Sequence, residues 1–237
     1  MKTRLTPLAA GVVAGGMAAA QAIGQTYELD PVVPGDPGFA SQVGVRYRSF
    51  NRPADHEVYI GSNLGASLGR TASHITYATS PTGNPFSISY DSTANQLTTV
   101  IGGVTSSWGW AGSTPAPELR IGIYSRSANS STTATVSVAN LILNGSAIGG
   151  GPIAVSSSTG TIVSSIWSVS GFDFATDFTL TGSLDLTPAA SFNSSAEGSK
   201  VEFYFGTPVP EPSTWAAIGT MALIGGWQWR RRSAKRA

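Results

Sequence analysis

The sequence predicts an all-β chain that closes into a single β-sandwich of jelly-roll type, and three observations carry that expectation. Runs such as Val43-Gly44-Val45-Arg46-Tyr47-Arg48 and Phe178-Thr179-Leu180-Thr181-Gly182-Ser183-Leu184 alternate with period two, the mark of a strand with one buried face. No stretch of the body keeps a long 3.6-residue period. The short β-branched runs are cut by Gly, Ser and Asn clusters, in a chain of 237 residues with 28 Gly and 14 Pro. At 41% hydrophobic the chain is too apolar for disorder, and at 11% charged it is too poor in helix-favouring Lys and Glu for a helical protein.

In order along the chain, the segment from Tyr27 to Gly38 holds Pro31, Pro34 and Pro37 and reads as an extended leader. Strand-like runs follow at Val43–Phe50, Val58–Ile60, Ser73–Ala78, Phe86–Tyr90, Gln96–Val104, Leu119–Tyr124, Thr132–Leu143, Thr161–Val169, Phe178–Leu186 and Val201–Phe205. Asn144-Gly145 and Pro81-Thr82-Gly83-Asn84-Pro85 supply turn chemistry between them. About ten strands with no repeat of 20–50 residues favour one sandwich. There is no cysteine, so core burial alone must hold the body together.

The formal charge of +1 conceals a segregation. Lys2, Arg4, Arg230, Arg231, Arg232, Lys235 and Arg236 lie at the two ends. Between Ile23 and Pro208, seven basic residues face twelve acidic ones, a net charge of −5. Such a body lacks the basic face that displaces counterions from a nucleic acid, so no nucleic-acid partner is expected.

The ends read as targeting segments. Lys2 and Arg4 precede an apolar run from Leu5 to Ala20 and then Gln21-Ala22, the layout of a secretory signal peptide over residues 1–22, with cleavage after Ala22 or else after Ala20. At the other end Trp215 to Trp229 carries no charge and meets Arg230-Arg231-Arg232. Fifteen residues at ~1.5 Å each span about 22 Å, short of the ~30 Å hydrocarbon core. Interfacial tryptophans at both edges and the basic cluster favour a membrane helix over 215–229, with Arg230 to Arg232 stopping transfer at the cytoplasmic side. The expected organisation is therefore a signal peptide over 1–22, an all-β ectodomain over 23–207 and a sorting segment over 208–237 whose basic tail is 230–237.

Val209-Pro210-Glu211-Pro212-Ser213-Thr214, then a short apolar helix, then an arginine cluster, resembles the PEP-CTERM sorting signal of bacteria that have an outer membrane and make exopolysaccharide. The resemblance implies a transient partner, an exosortase, that reads Pro210, Glu211 and Pro212 after the helix has lodged in the inner membrane. Two prolines keep such a segment extended and poor in hydrogen bonds, which suits an enzyme's grip. The alternative reading is a permanent anchor with a Pro-rich stalk. More loosely, Val136 to Gly145 and Gly171 to Gly182 resemble the "choice-of-anchor" ectodomains that accompany such tails.

Catalytic chemistry finds little footing in the body. Gly65-Ala66-Ser67-Leu68-Gly69 fits a nucleophile elbow, but Arg70 to Ile75 reads as strand where a helix should follow, and no histidine comes after His74. His56, in Asp55-His56-Glu57, reads as part of a polar loop ahead of the Val58 strand rather than as a zinc ligand with His74. Asp173, Asp177 and Asp185 are spaced around strand ends, which leaves calcium as an alternative, but no EF-hand or Gly-rich calcium-binding repeat accompanies them. No metal and no cofactor are expected. Trp108-Gly109-Trp110 sets two indoles on one side of a strand, which if exposed would form a platform for sugar rings and if buried would fill the core. The expectation is a non-enzymatic surface or matrix protein with a structural or adhesive role. The alternatives are a polysaccharide-binding module using Trp108 and Trp110, and more distantly a secreted hydrolase.

Overall fold

The computed structural model describes residues 27–32, 39–49, 56–62, 64, 70–75, 83–110, 116–187 and 199–208. The expectations for residues 1–22, Gly65–Gly69 and 209–237 lie outside the described residues. Among the described residues there are fourteen strands: β1 Asp30–Pro31, β2 Phe39–Ser49, β3 His56–Gly61, β4 Arg70–Ile75, β5 Asn84–Asp91, β6 Gln96–Ile101, β7 Val104–Gly109, β8 Glu118–Arg126, β9 Ala134–Leu143, β10 Ser146–Ala147, β11 Ile153–Ser157, β12 Ile162–Ser170, β13 Phe178–Thr187 and β14 Ser199–Pro208. They form two seven-stranded antiparallel sheets packed as a sandwich. The first runs β1-β12-β8-β14-β2-β3-β4; the second runs β10-β9-β13-β5-β6-β7, with β11 also paired to β9.

Alternation decides which face each strand buries. Val43, Val45 and Tyr47 of β2, Leu119, Ile121 and Ile123 of β8, and Val201, Phe203 and Phe205 of β14 all turn inward from the first sheet. Facing them from the second are Phe86, Ile88 and Tyr90, Leu97 and Ile101, Val136 and Val138, and Leu180 and Leu184. Aromatic rings bridge the layers: Tyr47, Phe86 and Phe203 lie with centroids 5.1–5.9 Å apart. Polar links join the layers as well, among them the Tyr47 hydroxyl and Thr99 Oγ1 at 2.6 Å. Burying these hydroxyls is tolerable because each has a partner, Thr99 also donating to the Ser87 carbonyl at 3.0 Å.

Several expectations need correction. The run Gln96–Val104 is not one strand but the start of a hairpin: Gly102 and Gly103 take φ of 57° and 77° between β6 and β7. Apolar β-branched residues on both sides of the turn make it read as continuous. Asn84 and Pro85, read as turn, open β5 instead, Pro85 sitting next to the strand's start where a missing N–H costs little. His56 and Glu57 are the first residues of β3 rather than a polar loop, and His56 is buried. The described part of the leader, residues 27–32, belongs to the sandwich. Asp30 and Pro31 pair with Ser168 and Trp167, and Tyr27 and Leu29 join the core. Two further short strands, β10 and β11, fell in stretches without a readable pattern. Asn144-Gly145 does form a tight turn, with φ of 49° and 83°.

Candidate functional site

The place where the predicted sorting segment leaves the body is built from the central strand of the first sheet. β14 is hydrogen-bonded on both sides: to β8 as far as Gly206, opposite Glu118, and to β2 as far as Pro208, opposite Phe39. A bulge between Thr207 and Pro208 ends the ladder. Val201, Phe203 and Phe205 are almost wholly buried, so freeing this strand would expose three large side chains, at about 1.5–3 kcal/mol each. Val209, the first residue of the sorting motif, therefore follows directly on a rigid strand. Val209 to Thr214 and Arg230, Arg231 and Arg232 themselves lie outside the described residues.

A chain of aromatic contacts connects this exit to the tryptophan pair. Phe205 lies 5.0 Å from Phe178, Phe178 pairs with Tyr90 across β13 and β5, and Tyr90 lies 4.8 Å from Trp110. The Tyr90 hydroxyl also donates to the Trp110 carbonyl at 3.1 Å. Trp108, opposite Leu97, and Trp110 are both half-buried and packed against the core. Each indole thus has one side turned inward. A groove of about 550 Å³, which neither tryptophan lines, is bordered by Ser89, Asp91, Gln96, Thr98, Asn144 and Asp177. Hydroxyls and amides there can hydrogen-bond a polar ligand, but the Asp177 carboxylate is already engaged. It accepts from Ser92 Oγ at 2.6 Å and Ser92 N at 2.7 Å, and those bonds hold its pKa below the usual aspartate value.

The remaining candidates do not converge. Asp173 accepts from the backbone of Ala116 and Ala175, each at 3.0 Å, as a turn cap. Asp185 lies far along β13, about 23 Å from Phe178 at ~3.3 Å per residue. Among the described residues, no group of three or more His, Asp or Glu side chains gathers in one place. Arg70 to Ile75 is the strand β4, and the His74 backbone pairs with Glu57.

Sequence reasoning missed the charged face on the outside of the first sheet. Arg46, Arg48, Arg120, Arg126 and Lys200 alternate with core residues and all point outward, beside Glu57, Glu118 and Glu202. Glu202 is the hub: its Oε1 takes Arg46 Nε and Nη2, both at 2.6 Å, and Lys200 Nζ at 3.1 Å. Arg46 Nη1 reaches the Leu64 carbonyl at 2.9 Å, and Leu64 covers this part of the face. Burial is the largest influence on Arg46 and opposes its charge, but Glu202 and Tyr204 together, by charge and hydrogen bond, leave the guanidinium pKa raised. Tyr204 and Tyr124 fill the space over Gly44 and Gly122, where a Cβ would come within 2.8 and 2.9 Å of their rings. The signal for this network was present as Arg46-x-Arg48 and Lys200-x-Glu202, but only strand pairing sets Arg46 opposite Glu202.

Fold and exit together define a class: an all-β sandwich whose central strand runs directly into a C-terminal targeting segment. Comparison with protein families assigns that segment, residues 208–232, to the PEP-CTERM protein-sorting motif. No curated protein matches the chain. The motif implies an exported, cell-surface-sorted protein that is processed by an exosortase. Pro208 is shared, closing the β14 ladder and opening the matched segment.

Proposed function

We propose that the protein is a non-catalytic structural or adhesive component of the cell surface or of an exopolysaccharide matrix, exported by residues 1–22 and released from the inner membrane through its tail. The observation that carries this reading is the sorting motif joined without a spacer to a well-packed sandwich. The body becomes the delivered cargo. In this scheme Trp215 to Trp229 holds the new chain in the inner membrane, Arg230 to Arg232 stops transfer, and Pro210-Glu211-Pro212 stands just outside. Support for a non-catalytic body comes from the chemistry of its groove, whose lining residues include no histidine or lysine and whose Asp177 carboxylate is taken up by the hydroxyl and backbone N–H of Ser92. Binding of polysaccharide through Trp108 and Trp110 draws less support, since each indole already spends one side on the core.

The test compares wild type, Glu211→Ala and a chain lacking Trp215 to Ala237 by cell fractionation and intact mass. Wild type should appear outside the inner membrane without its tail. Glu211→Ala should accumulate at full length in the inner membrane, and the truncated chain should escape unprocessed. A wild-type surface form that still carries Trp215 to Trp229 refutes the sorting scheme.

A further inference from the structure

β12 stands apart from every other strand of the sandwich. Among the described residues, three of the five exposed large hydrophobics lie on it: Ile162 at 49% exposure, Val163 at 39% and Ile166 at 39%. Its burial pattern shows both faces open from Ile162 to Ser164, including the inward-pointing Val163. One edge is fully paired with β8, from Ile162 opposite Arg126 to Ser170 opposite Glu118. The other edge meets β1 only at Trp167 and Ser168, with one more bond from Val32 N to the Ile166 carbonyl at 2.9 Å. Among the described residues, nothing pairs with that edge from Ile162 to Ser165.

Sheet edges are ordinarily blunted by charge, proline, a bulge or extreme shortness. On the far side of this sandwich, β4 and β7 shield each other and share a 2.9 Å bond between Ser73 and Ser106. β1 and β10 are two residues each. The run Ile162-Val163-Ser164-Ser165-Ile166 has none of these protections, and its composition favours strand pairing.

We infer that this edge is a self-association site, where β12 of one molecule pairs antiparallel with β12 of a second copy about a two-fold axis at Val163. Register supports that axis. Ile166 offers its carbonyl to the β1 side, so by the two-residue alternation Ile162 and Ser164 offer their N–H and C=O groups to the same side. Antiparallel pairing about Val163 sets Ile162 opposite Ser164 of the second copy and the reverse, using just those groups. The added strand would reach Ile166 with its Gly160, whose φ of 72° turns the chain away where Val32 begins. The strand carries no charge, so its own copy brings no repulsion. The ladder is short, well below the ~1,000 Å² typical of stable interfaces, so each contact is weak and becomes effective where copies are crowded. That suits a displayed or matrix protein, but the inference rests on the sandwich alone and does not depend on how the tail is processed.

The absence of native cysteine provides the test. Across the axis, the two Val163 positions form a non-hydrogen-bonded pair about 4.5 Å apart at Cα, within reach of a disulfide. The purified mature protein carrying Val163→Cys should cross-link under mild oxidation about tenfold faster than one carrying Thr105→Cys, exposed on the outer face of β7, because pairing raises the local thiol concentration. Adding Ser164→Pro should abolish that advantage while leaving the β8 ladder intact, since the N–H it removes faces the open edge. Sedimentation of the cysteine-free protein, with and without Ser164→Pro, gives an independent reading: a mass that rises with concentration only in the wild type. Equal cross-linking rates at the two positions, or the same mass at all concentrations for both proteins, overturns the inference.

Discussion

Replacing Glu202 by alanine tests whether the outer charged face holds the first sheet together. Glu202 is 3% exposed and Arg46 5%, so the substitution leaves a buried guanidinium without its carboxylate. Breaking one partner of a buried pair costs about 3–5 kcal/mol, because the remaining charge keeps its desolvation penalty. The Leu64 carbonyl, 2.9 Å from Nη1, still serves Arg46 and places the expected loss near the lower bound. At about 2–4 °C per kcal/mol for a domain of this size, Tm should fall by about 6–12 °C. The assay is thermal unfolding of residues 23–208 followed by circular dichroism, with the wild type alongside. The double variant Arg46→Met, Glu202→Leu should recover most of the loss, since it removes both charges and keeps the volume. The deficit should also persist in 1 M salt (Debye length ~3 Å), which screens exposed pairs far more than buried ones. A single-variant drop below about 2 °C, or a double variant as unstable as the single, refutes the reasoning.

Other outcomes follow from the same packing. A fragment spanning residues 23–208 should be soluble, monodisperse when dilute, and rich in β-structure; a helix-dominated circular dichroism spectrum contradicts the sandwich. Gly44→Ala should lower stability by about 1–3 kcal/mol, because its Cβ would sit 2.6 Å from the Phe203 carbonyl, a backbone atom that cannot step aside; denaturant midpoints would show it. Burial, reinforced by Glu202, pushes the Tyr204 hydroxyl up to about 12, and burial raises Tyr47 and Tyr124 further still. The unfolded chain ionises these groups near ~10, so their contribution is complete below that pH and is lost as pH rises toward the folded values. A Tm that stays level to about pH 12 contradicts this. Trp108→Ala and Trp110→Ala should each cost stability through lost core contact, about 1–3 kcal/mol, and leave retention on the organism's exopolysaccharide unchanged. Lost retention with an unchanged Tm would favour the sugar-platform reading.

Much of the architecture was legible in the sequence because its alternation is a direct consequence of strand geometry. Val43-x-Val45-x-Tyr47 and Val201-x-Phe203-x-Phe205 could bury one face only as strands, and both do. The sorting segment was legible for a different reason: a signal read by a processing enzyme must carry its information in local sequence, as the matched segment 208–232 does. Local reading failed where two structures share one pattern. Gly102-Gly103 between β-branched neighbours fits a strand interior as well as a turn, and only pairing of β6 with β7 decides it. The two-residue β1 has no period to detect, and it is a strand because β12 lies beside it.

Composition and spacing determined the strand class, the acidic body and the C-terminal sorting segment, each a property of residues near one another in the chain. Tertiary structure alone decided what depends on distant partners. It set Arg46 against Glu202, 156 positions away, turned both tryptophans toward the core, and left the start of β12 exposed, with one edge unpaired among the described residues. Sheet order arranges these features, and the period-two signal says that a strand has an inner face without saying which strand lies next to it.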